Sequence, residues 1–224
     1  MTGKVISCHP DNYGGKRKET AYLVIHYTAG DGDTAENNGM YFSRESVGAS
    51  AHWFVDETEA VLSVPEDCVA WHSGAREYLH PHCRNSNSVA IELCSRKNER
   101  GEYEIPTRTL ENAQELARDL MKKYKIPLEN VLRHYDVTGK ICPAPLVEAG
   151  QWERFLEGLM RYDAITAVPV WGRNTVEKLM AQGHLQGDGQ GLDLSYDMLR
   201  LLVILDRAGS FGDMPDTGRG NPPA

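Results

Sequence analysis

The stretch NSVAIELC, residues 87–94, decides the fold because it alternates strictly between two kinds of side chain. Successive side chains of a strand point to opposite faces, so Val89, Ile91 and Leu93 share one face. The other face carries small or polar residues: Ser88, Ala90, Glu92 and Cys94. The pattern predicts a buried strand that holds one carboxylate among small neighbours.

Other segments extend this strand into a sheet covered by helices. The run AYLVIHYT (residues 21–28) predicts a second buried strand, and ASAHWFVD (49–56) and EAVLSVP (59–65) predict a pair joined by a short turn. Three segments predict helices: DTAENNGMYFSRE (33–45), TRTLENAQELARDLMKKYKI (107–126) and EAGQWERFLEGLMRY (148–162). Strands alternating with helices predict an α/β fold with a mixed or largely parallel central sheet.

The composition changes after about residue 163. A short helical pattern (174–182), a glycine-rich turn (186–191) and an apolar helix (195–209) with Ser195 as N-cap follow. We predict a main domain over residues 1–163, a small helical module over 164–210 and a disordered tail over 211–224. The module is below the size at which a core usually supports itself, so it should dock on the main domain or on a second copy.

Charge and composition exclude several classes of protein. The chain has 224 residues, and its 24 Lys and Arg against 32 Asp and Glu give a net charge of −8, which argues against general binding to nucleic acid or anionic membranes. No apolar run approaches the length needed for membrane insertion. The first twenty residues lack the apolar core of a signal peptide, which predicts synthesis in the cytoplasm. Five cysteines, an odd number, are a poor disulfide framework there.

The loop RHYDVTGKICPAP, residues 133–145, carries the residues that indicate chemistry. His134 is followed by Lys140 and Cys142, and an imidazole and a thiolate at this spacing can converge on one ion. Zinc suits these two ligand types, and a catalytic zinc takes three protein ligands and leaves a position for water. His26 is the candidate third ligand, because it lies near the end of a predicted buried strand where a cleft can open.

Five segments in this order resemble one family: VIHYTAG (24–30), SAHWFVD (50–56), AWHSGA (70–75), SVAIELC (88–94) and the loop at 133–145. They are similar to the zinc-dependent N-acetylmuramoyl-L-alanine amidases, which include short bacteriophage lysozymes and peptidoglycan-recognition proteins. The resemblance covers about residues 20–160 and implies a zinc groove at one edge of the sheet. It also implies His26, His134 and Cys142 as zinc ligands and cleavage of the amide between N-acetylmuramic acid and L-alanine in bacterial peptidoglycan.

Roles for further residues follow in part from this resemblance, for Glu92 and Lys140, and in part from the residues themselves. Glu92 is expected to act as general base and Lys140 to stabilise the developing oxyanion. Trp71 and His72 are expected to line the substrate groove, and Thr28 to hydrogen-bond beside the metal and contact substrate.

Three other features of the sequence bear on the candidate site. His52 is interpreted as a packing or supporting histidine. The run HPHC, residues 80–83, has no matching second pair of ligands and is interpreted as an exposed or substrate-facing loop. The short bacteriophage lysozymes have a catalytic tyrosine where this chain has Ala51, so Glu92 must take over the role of base or activity is compromised.

The favoured hypothesis is a phage or prophage endolysin or an autolysin that reaches the wall after release, through a holin-type route or lysis. A cytoplasmic muropeptide-recycling amidase and a non-catalytic peptidoglycan-recognition protein are the alternatives. Non-catalytic relatives typically lose the cysteine ligand, which is present here as Cys142. A DNA-binding regulator fits worst, because the last two helices lack a basic recognition face. The C-terminal module would bind cell wall or form a homo-oligomer.

Overall fold

The structure is a computed structural model that describes residues 3–189 and 191–212. The chain divides into two units, Met1–Leu159 and Met160–Ala224. The boundary precedes the predicted one by four residues, because strand Arg161–Tyr162 pairs with Leu194–Ser195 in the second unit. Most of the tail predicted to be disordered, residues 213–224, lies outside the described residues.

The first unit contains ten strands and five helices among its described residues. The strands are β1 (Lys4–Val5), β2 (Tyr13–Lys16), β3 (Tyr22–Tyr27), β4 (Trp53–Val55), β5 (Ala60–Leu62), β6 (Cys68–Ala70), β7 (Ser88–Leu93), β8 (Arg96–Lys97), β9 (Tyr103–Glu104) and β10 (Val131–Arg133). The helices are α1 (Ala35–Arg44), α2 (Thr107–Tyr124), α3 (His134–Thr138), α4 (Ala144–Val147) and α5 (Gln151–Glu157). Short 3₁₀ turns cover Pro10–Asn12, Asn85–Asn87 and Leu128–Asn130.

The central sheet of the first unit has six strands in the order β1-β5-β4-β7-β3-β10 within the described chain. The β4–β5 pair is antiparallel, and the other neighbours are parallel. The predicted mixed sheet is therefore confirmed, as is the predicted β4–β5 pair. The predicted strand over residues 87–94 is β7, which lies between β4 and β3 at the centre.

Both faces of β7 are buried, which explains why its polar face contains such small side chains. Val89, Ile91 and Leu93 pack in a core cluster with residues of α2 and α5. On the opposite face, Ala90 and Cys94 belong to a smaller cluster beside α1. Burial of each large side chain in these clusters contributes about 1.5–3 kcal/mol to stability.

The helix predictions hold for α1 and α2 and fail in part for α5. Thr34 caps α1 by accepting a hydrogen bond from the Asn37 N–H. Pro106 precedes α2, and Lys125 ends it in the left-handed conformation. The predicted helix over residues 148–162 is too long, because Gly150 takes a left-handed conformation just before α5 and the chain turns into a strand after it.

The second unit contains α6 (Val170–Ala181) and α7 (Tyr196–Arg207), the strands β11 (Arg161–Tyr162) and β12 (Leu194–Ser195), and a 3₁₀ turn at Ile165–Ala167. Ser195 caps α7, as the sequence predicts, by accepting from the Met198 N–H at 3.0 Å. The unit has an apolar cluster of its own, in which Val176 and Leu199 are buried.

Within the described chain, none of the helices combines the length and the apolar character that crossing a membrane requires.

Candidate metal centre and active site

Strand register brings the two predicted histidine ligands together. β10 runs parallel to β3, with Arg133 opposite Ile25, so the next residues along each strand, His134 and His26, are neighbours. His134 starts α3 directly after β10. The two imidazole rings lie with their centroids 4.6 Å apart.

Cys142 joins the two histidines from the loop that follows α3. One donor atom each of His26, His134 and Cys142 lies within 4.8 Å of the others, and all three residues are buried. The Cys142 Sγ is 3.7 Å from the His26 Nδ1. The loop is held in place because the Tyr135 N–H donates to the Cys142 carbonyl at 2.8 Å and Gly139 adopts a left-handed φ of 82°.

The chemistry of this donor group fits a metal ion. The Nδ1 of His134 is buried and has no hydrogen-bond partner among the described groups, which is costly unless a ligand occupies it. Burial lowers the pKa of His134 to about 4 and lowers that of His26 well below its usual range, so both imidazoles are neutral and can donate a lone pair. Two imidazoles and one thiol suit zinc.

The thiol of Cys142 needs a cation to ionise. Burial, followed by the nearby Glu92 carboxylate, raises the pKa of Cys142 to about 12. A metal ion deprotonates a coordinating thiol outright, so metal binding at this position would release a proton.

Glu92 lies beside the donor group because β7 pairs in parallel with β3, with Glu92 opposite His26. Its Oε1 is 4.0 Å from the His26 Nδ1, and its Oε2 is buried without a hydrogen-bond partner in the described structure. Burial raises the pKa of Glu92 to about 7, with Lys140 opposing and Asp33 reinforcing the rise. A carboxylate with this pKa can exchange a proton near neutral pH.

Lys140 is an exposed residue in the loop between His134 and Cys142. Its positive charge is close enough to help lower the pKa of His134 and to lower that of Glu92. The structure therefore brings Glu92, Lys140 and the three predicted ligands to one place.

His72 lies against His26, which the sequence did not indicate. The His72 Nδ1 is 3.0 Å from the His26 Nε2, and its Nε2 is 3.1 Å from the Ser88 hydroxyl. Both of its ring nitrogens thus have protein partners. The alternation of β7 places Ser88 on the same face as Glu92, but it gives no signal for the contact between His72 and His26.

Trp71 and Thr28 occupy different surroundings. The Trp71 side chain is 38% exposed and precedes His72, so it is accessible to a ligand. The Thr28 hydroxyl donates to the Leu93 carbonyl at 3.4 Å and lies 3.5 Å from the Ser95 hydroxyl. Its substrate contact remains a prediction.

His52 is fully buried and supports the sheet. Its Nδ1 accepts from the Ala90 N–H at 3.0 Å, and its Nε2 lies 3.1 Å from the Cys68 carbonyl. The neighbouring Ala51 is 1% exposed in the cluster beside α1.

The HPHC segment, residues 80–83, is held by hydrogen bonds between its first histidine and its own backbone. The His80 Nδ1 accepts from the N–H groups of His82 and Cys83, at 3.2 and 2.9 Å. The Cys83 side chain is buried, and all five cysteines of the chain, which lie among the described residues, are free thiols.

Comparison with known proteins decides the family. The family model of N-acetylmuramoyl-L-alanine amidases (Amidase_2) matches residues 16–145, which is more than half of the chain. The chain belongs to this amidase family. The matched region contains the three metal-donor residues, Glu92 and Lys140.

Relatives within the amidase family are similar in sequence and fold. The amidase CwlL of Bacillus licheniformis is 39% identical over 135 residues, covering 56% of this chain and 36% of CwlL. A probable N-acetylmuramoyl-L-alanine amidase of the same organism is 33% identical over 198 residues, covering 84% of this chain and 52% of that protein. The catalytic domain of XlyA superposes with a TM-score of 0.61 at 26% identity, covering 71% of this chain and all of that domain. The chain thus spans about a third of the length of CwlL and about half of the length of the probable amidase.

Proposed function

We propose that this chain is a zinc-dependent amidase that hydrolyses the bond between N-acetylmuramic acid and L-alanine in bacterial peptidoglycan. The observation that carries the proposal is the convergence of His26, His134 and Cys142 within 4.8 Å, beside a carboxylate whose pKa is about 7. Membership of the amidase family supports the choice of bond.

His26, His134 and Cys142 would hold the ion. When bound, zinc supplies Lewis acidity, which polarises an amide carbonyl and makes water a better nucleophile near neutral pH. A thiolate ligand neutralises more of the ion's charge than a third imidazole would. Other protein groups must therefore help to stabilise the negative charge that develops on the carbonyl oxygen.

Glu92 would transfer the proton. As a carboxylate it takes a proton from the attacking water, and as a carboxylic acid it returns the proton to the leaving amide nitrogen. Its pKa near 7 allows both forms at working pH. This role does not need the tyrosine of the short bacteriophage lysozymes, whose place is taken by the buried Ala51.

Lys140 would stabilise the negative charge that develops on the carbonyl oxygen. Its positive charge already lowers the pKa of Glu92 and of His134. A fixed positive charge in a partly buried site acts more strongly than in water, because screening is weaker there.

Trp71 and Thr28 would contact the substrate around this centre. Trp71 offers an exposed aromatic face, which suits a sugar ring.

The biological setting we propose is cell-wall lysis by an endolysin or autolysin that acts after its release from the cytoplasm. The names of similar proteins support this setting, since solved structures that resemble the chain include one described as a mutant endolysin from Bacillus subtilis, at 27% identity and a TM-score of 0.58.

The second unit would attach the enzyme to the wall. A surface cavity of about 320 Å³ there is lined by Trp171, Tyr196, Arg200, Val203, Ile204 and Arg207. Trp171 and Tyr196 meet edge to face at 6.1 Å, and the Arg200 guanidinium lies 5.7 Å from the centre of the Tyr196 ring. Aromatic faces beside two arginines suit an anionic glycan, which carries sugar rings and negative groups together.

The test of the proposed function is an assay of products from purified peptidoglycan. Amide cleavage should release new alanine amino termini and leave the glycan reducing ends unchanged. An increase in reducing ends, or walls bound without any new amino termini, would contradict the proposal; the latter result is the one expected of a non-catalytic recognition protein. Activity on soluble muropeptides but not on walls would instead indicate a recycling amidase.

A further inference from the structure

A chain of hydrogen bonds runs from a backbone carbonyl to the histidine that faces the candidate metal site. The Ser88 hydroxyl donates to the Arg84 carbonyl at 2.7 Å. The His72 Nε2 lies 3.1 Å from that hydroxyl, and the His72 Nδ1 lies 3.0 Å from the His26 Nε2.

The carbonyl at one end fixes the direction of every bond in the chain. A carbonyl oxygen cannot donate, so the single hydroxyl proton of Ser88 points to Arg84. Ser88 must then accept from the Nε2–H of His72. A neutral imidazole carries one ring proton, so the His72 Nδ1 is an acceptor and the Nε2–H of His26 donates to it.

The loop that carries His72 is held by further bonds. The Asn85 side-chain oxygen accepts the backbone N–H groups of His72 and Ser73, at 3.3 and 2.8 Å. The Ser73 hydroxyl lies 2.8 Å from the His72 Nδ1 and donates to the same lone pair. The acceptor nitrogen is therefore fixed in position before any metal binds.

The result for His26 is a defined tautomer. With the proton on Nε2, the lone pair of Nδ1 is free, and Nδ1 is the atom that lies 3.7 Å from the Cys142 Sγ and 4.0 Å from the Glu92 Oε1. The other tautomer would place a proton on Nδ1 and block it as a ligand.

We propose that His72 is a positioning residue that fixes the Nε2–H tautomer of His26 and so presents the His26 Nδ1 to the metal. The inference rests on the proposed metal site. It adds a contact of His72 with the metal-donor residue His26 to the expected contact with substrate, which stays a prediction. Metal-bound histidines usually donate their second N–H to a carboxylate, a carbonyl or water, so a second histidine in this place is a distinct solution.

Two substitutions separate this role from simple packing. His72→Asn can keep a side-chain oxygen where Nδ1 lies, whereas His72→Leu fills similar space without an acceptor. We expect His72→Leu to weaken zinc binding about 10- to 100-fold, as loss of such a partner typically does, and His72→Asn to stay within about threefold of wild type. The measurement is competition against a chromogenic chelator. His82→Leu, at an exposed histidine of the neighbouring loop, is the control and should bind zinc as wild type does.

The tautomer itself is measured on the metal-free protein by nitrogen-detected NMR of the histidine rings. Wild type and His72→Asn should show His26 protonated on Nε2, and His72→Leu should show a mixture. A wild-type His26 protonated on Nδ1, or equal zinc affinity for His72→Leu and wild type, would overturn the inference. Wild-type protein that binds no zinc would instead contradict the proposed function, and the NMR result would still decide the tautomer.

Discussion

At the scale of single residues, Glu92 shows how burial changes chemistry. An exposed glutamate has a pKa near 4.5, but burial on the central strand raises the pKa of Glu92 to about 7. The alternation of residues 87–94 was sufficient to predict which face it occupies. The pairing of His72 with His26 was not predictable, because it depends on a contact between residues 46 apart in the chain.

Glu92→Gln tests the role of this carboxylate. The amide is similar in size but cannot accept a proton, so we expect hydrolysis to fall by about 10²–10⁴-fold while zinc content stays at the wild-type value. Both quantities are measured on the same preparation. Glu104→Gln, which removes an exposed carboxylate paired with Arg96, is the matched control and should leave the rate unchanged. A rate for Glu92→Gln within threefold of wild type would place the base elsewhere.

At the scale of elements, local signals predicted β3, β4, β5, β7 and the long helices, but they missed the other described strands and α3, which lies in the predicted loop. The apolar spacing of α2 and the proline before it were enough to place that helix. The predicted length of α5 was wrong because Gly150 and Gly158 flank the helix and β11 follows it. The parallel pairing of β10 with β3, which brings the two histidine ligands together, joins residues more than 100 positions apart and has no local signal.

Glu66 links the end of α2 to the sheet. Its carboxylate accepts from the Trp53 indole at 3.0 Å, from Lys123 at 2.6 Å and from the Tyr124 hydroxyl at 2.7 Å. Burial by itself would raise the pKa of Glu66, but these donors outweigh it and lower the pKa below its usual 4.5. The carboxylate thus stabilises the fold above the unfolded-state pKa, and this stabilisation is lost as the pH falls through the folded-state pKa.

Glu66→Gln should therefore lower the free energy of unfolding at pH 7 by about 1.5–3 kcal/mol, the usual contribution of hydrogen bonds to a charged group. The difference from wild type should shrink as the pH falls below about 4. Urea unfolding across pH measures both effects. Glu111→Gln removes an exposed pair with Arg108 on the same helix and should cost less than about 1 kcal/mol. If the loss of unfolding free energy in Glu66→Gln did not change with pH, the ionised Glu66 carboxylate would not be what stabilises the fold.

At the scale of the whole molecule, the sequence predicted two parts and the structure has two units. The resemblance of the first part to the amidase family is confirmed by the match over residues 16–145. The binding partner of the second unit could not be predicted from the sequence. Exposed side chains such as Trp171 follow no periodic pattern, so a residue in a binding site looks the same in the sequence as one that only faces solvent.

Trp171→Ala tests the attachment surface. Trp171 is 44% exposed, so its loss should not unfold the unit. We expect binding to insoluble walls to weaken about 3- to 10-fold, with hydrolysis of soluble fragments within twofold of wild type. Met180→Ala, at a similarly exposed apolar residue of the same unit, is the control. Unchanged wall binding together with a shift in oligomeric state would show that the cavity receives a second copy of the chain instead.

The proposed mechanism requires one ion held by residues from two distant segments, β3 with His26 and residues 133–145 with His134 and Cys142. Diffraction from a zinc-loaded crystal, recorded at the zinc absorption edge, locates that ion directly. We predict a single strong anomalous peak bonded to the His26 Nδ1, a ring nitrogen of His134 and the Cys142 Sγ, at about 2.0–2.1 Å for nitrogen and 2.3 Å for sulfur. A peak held by other residues, or none at these three, would contradict it.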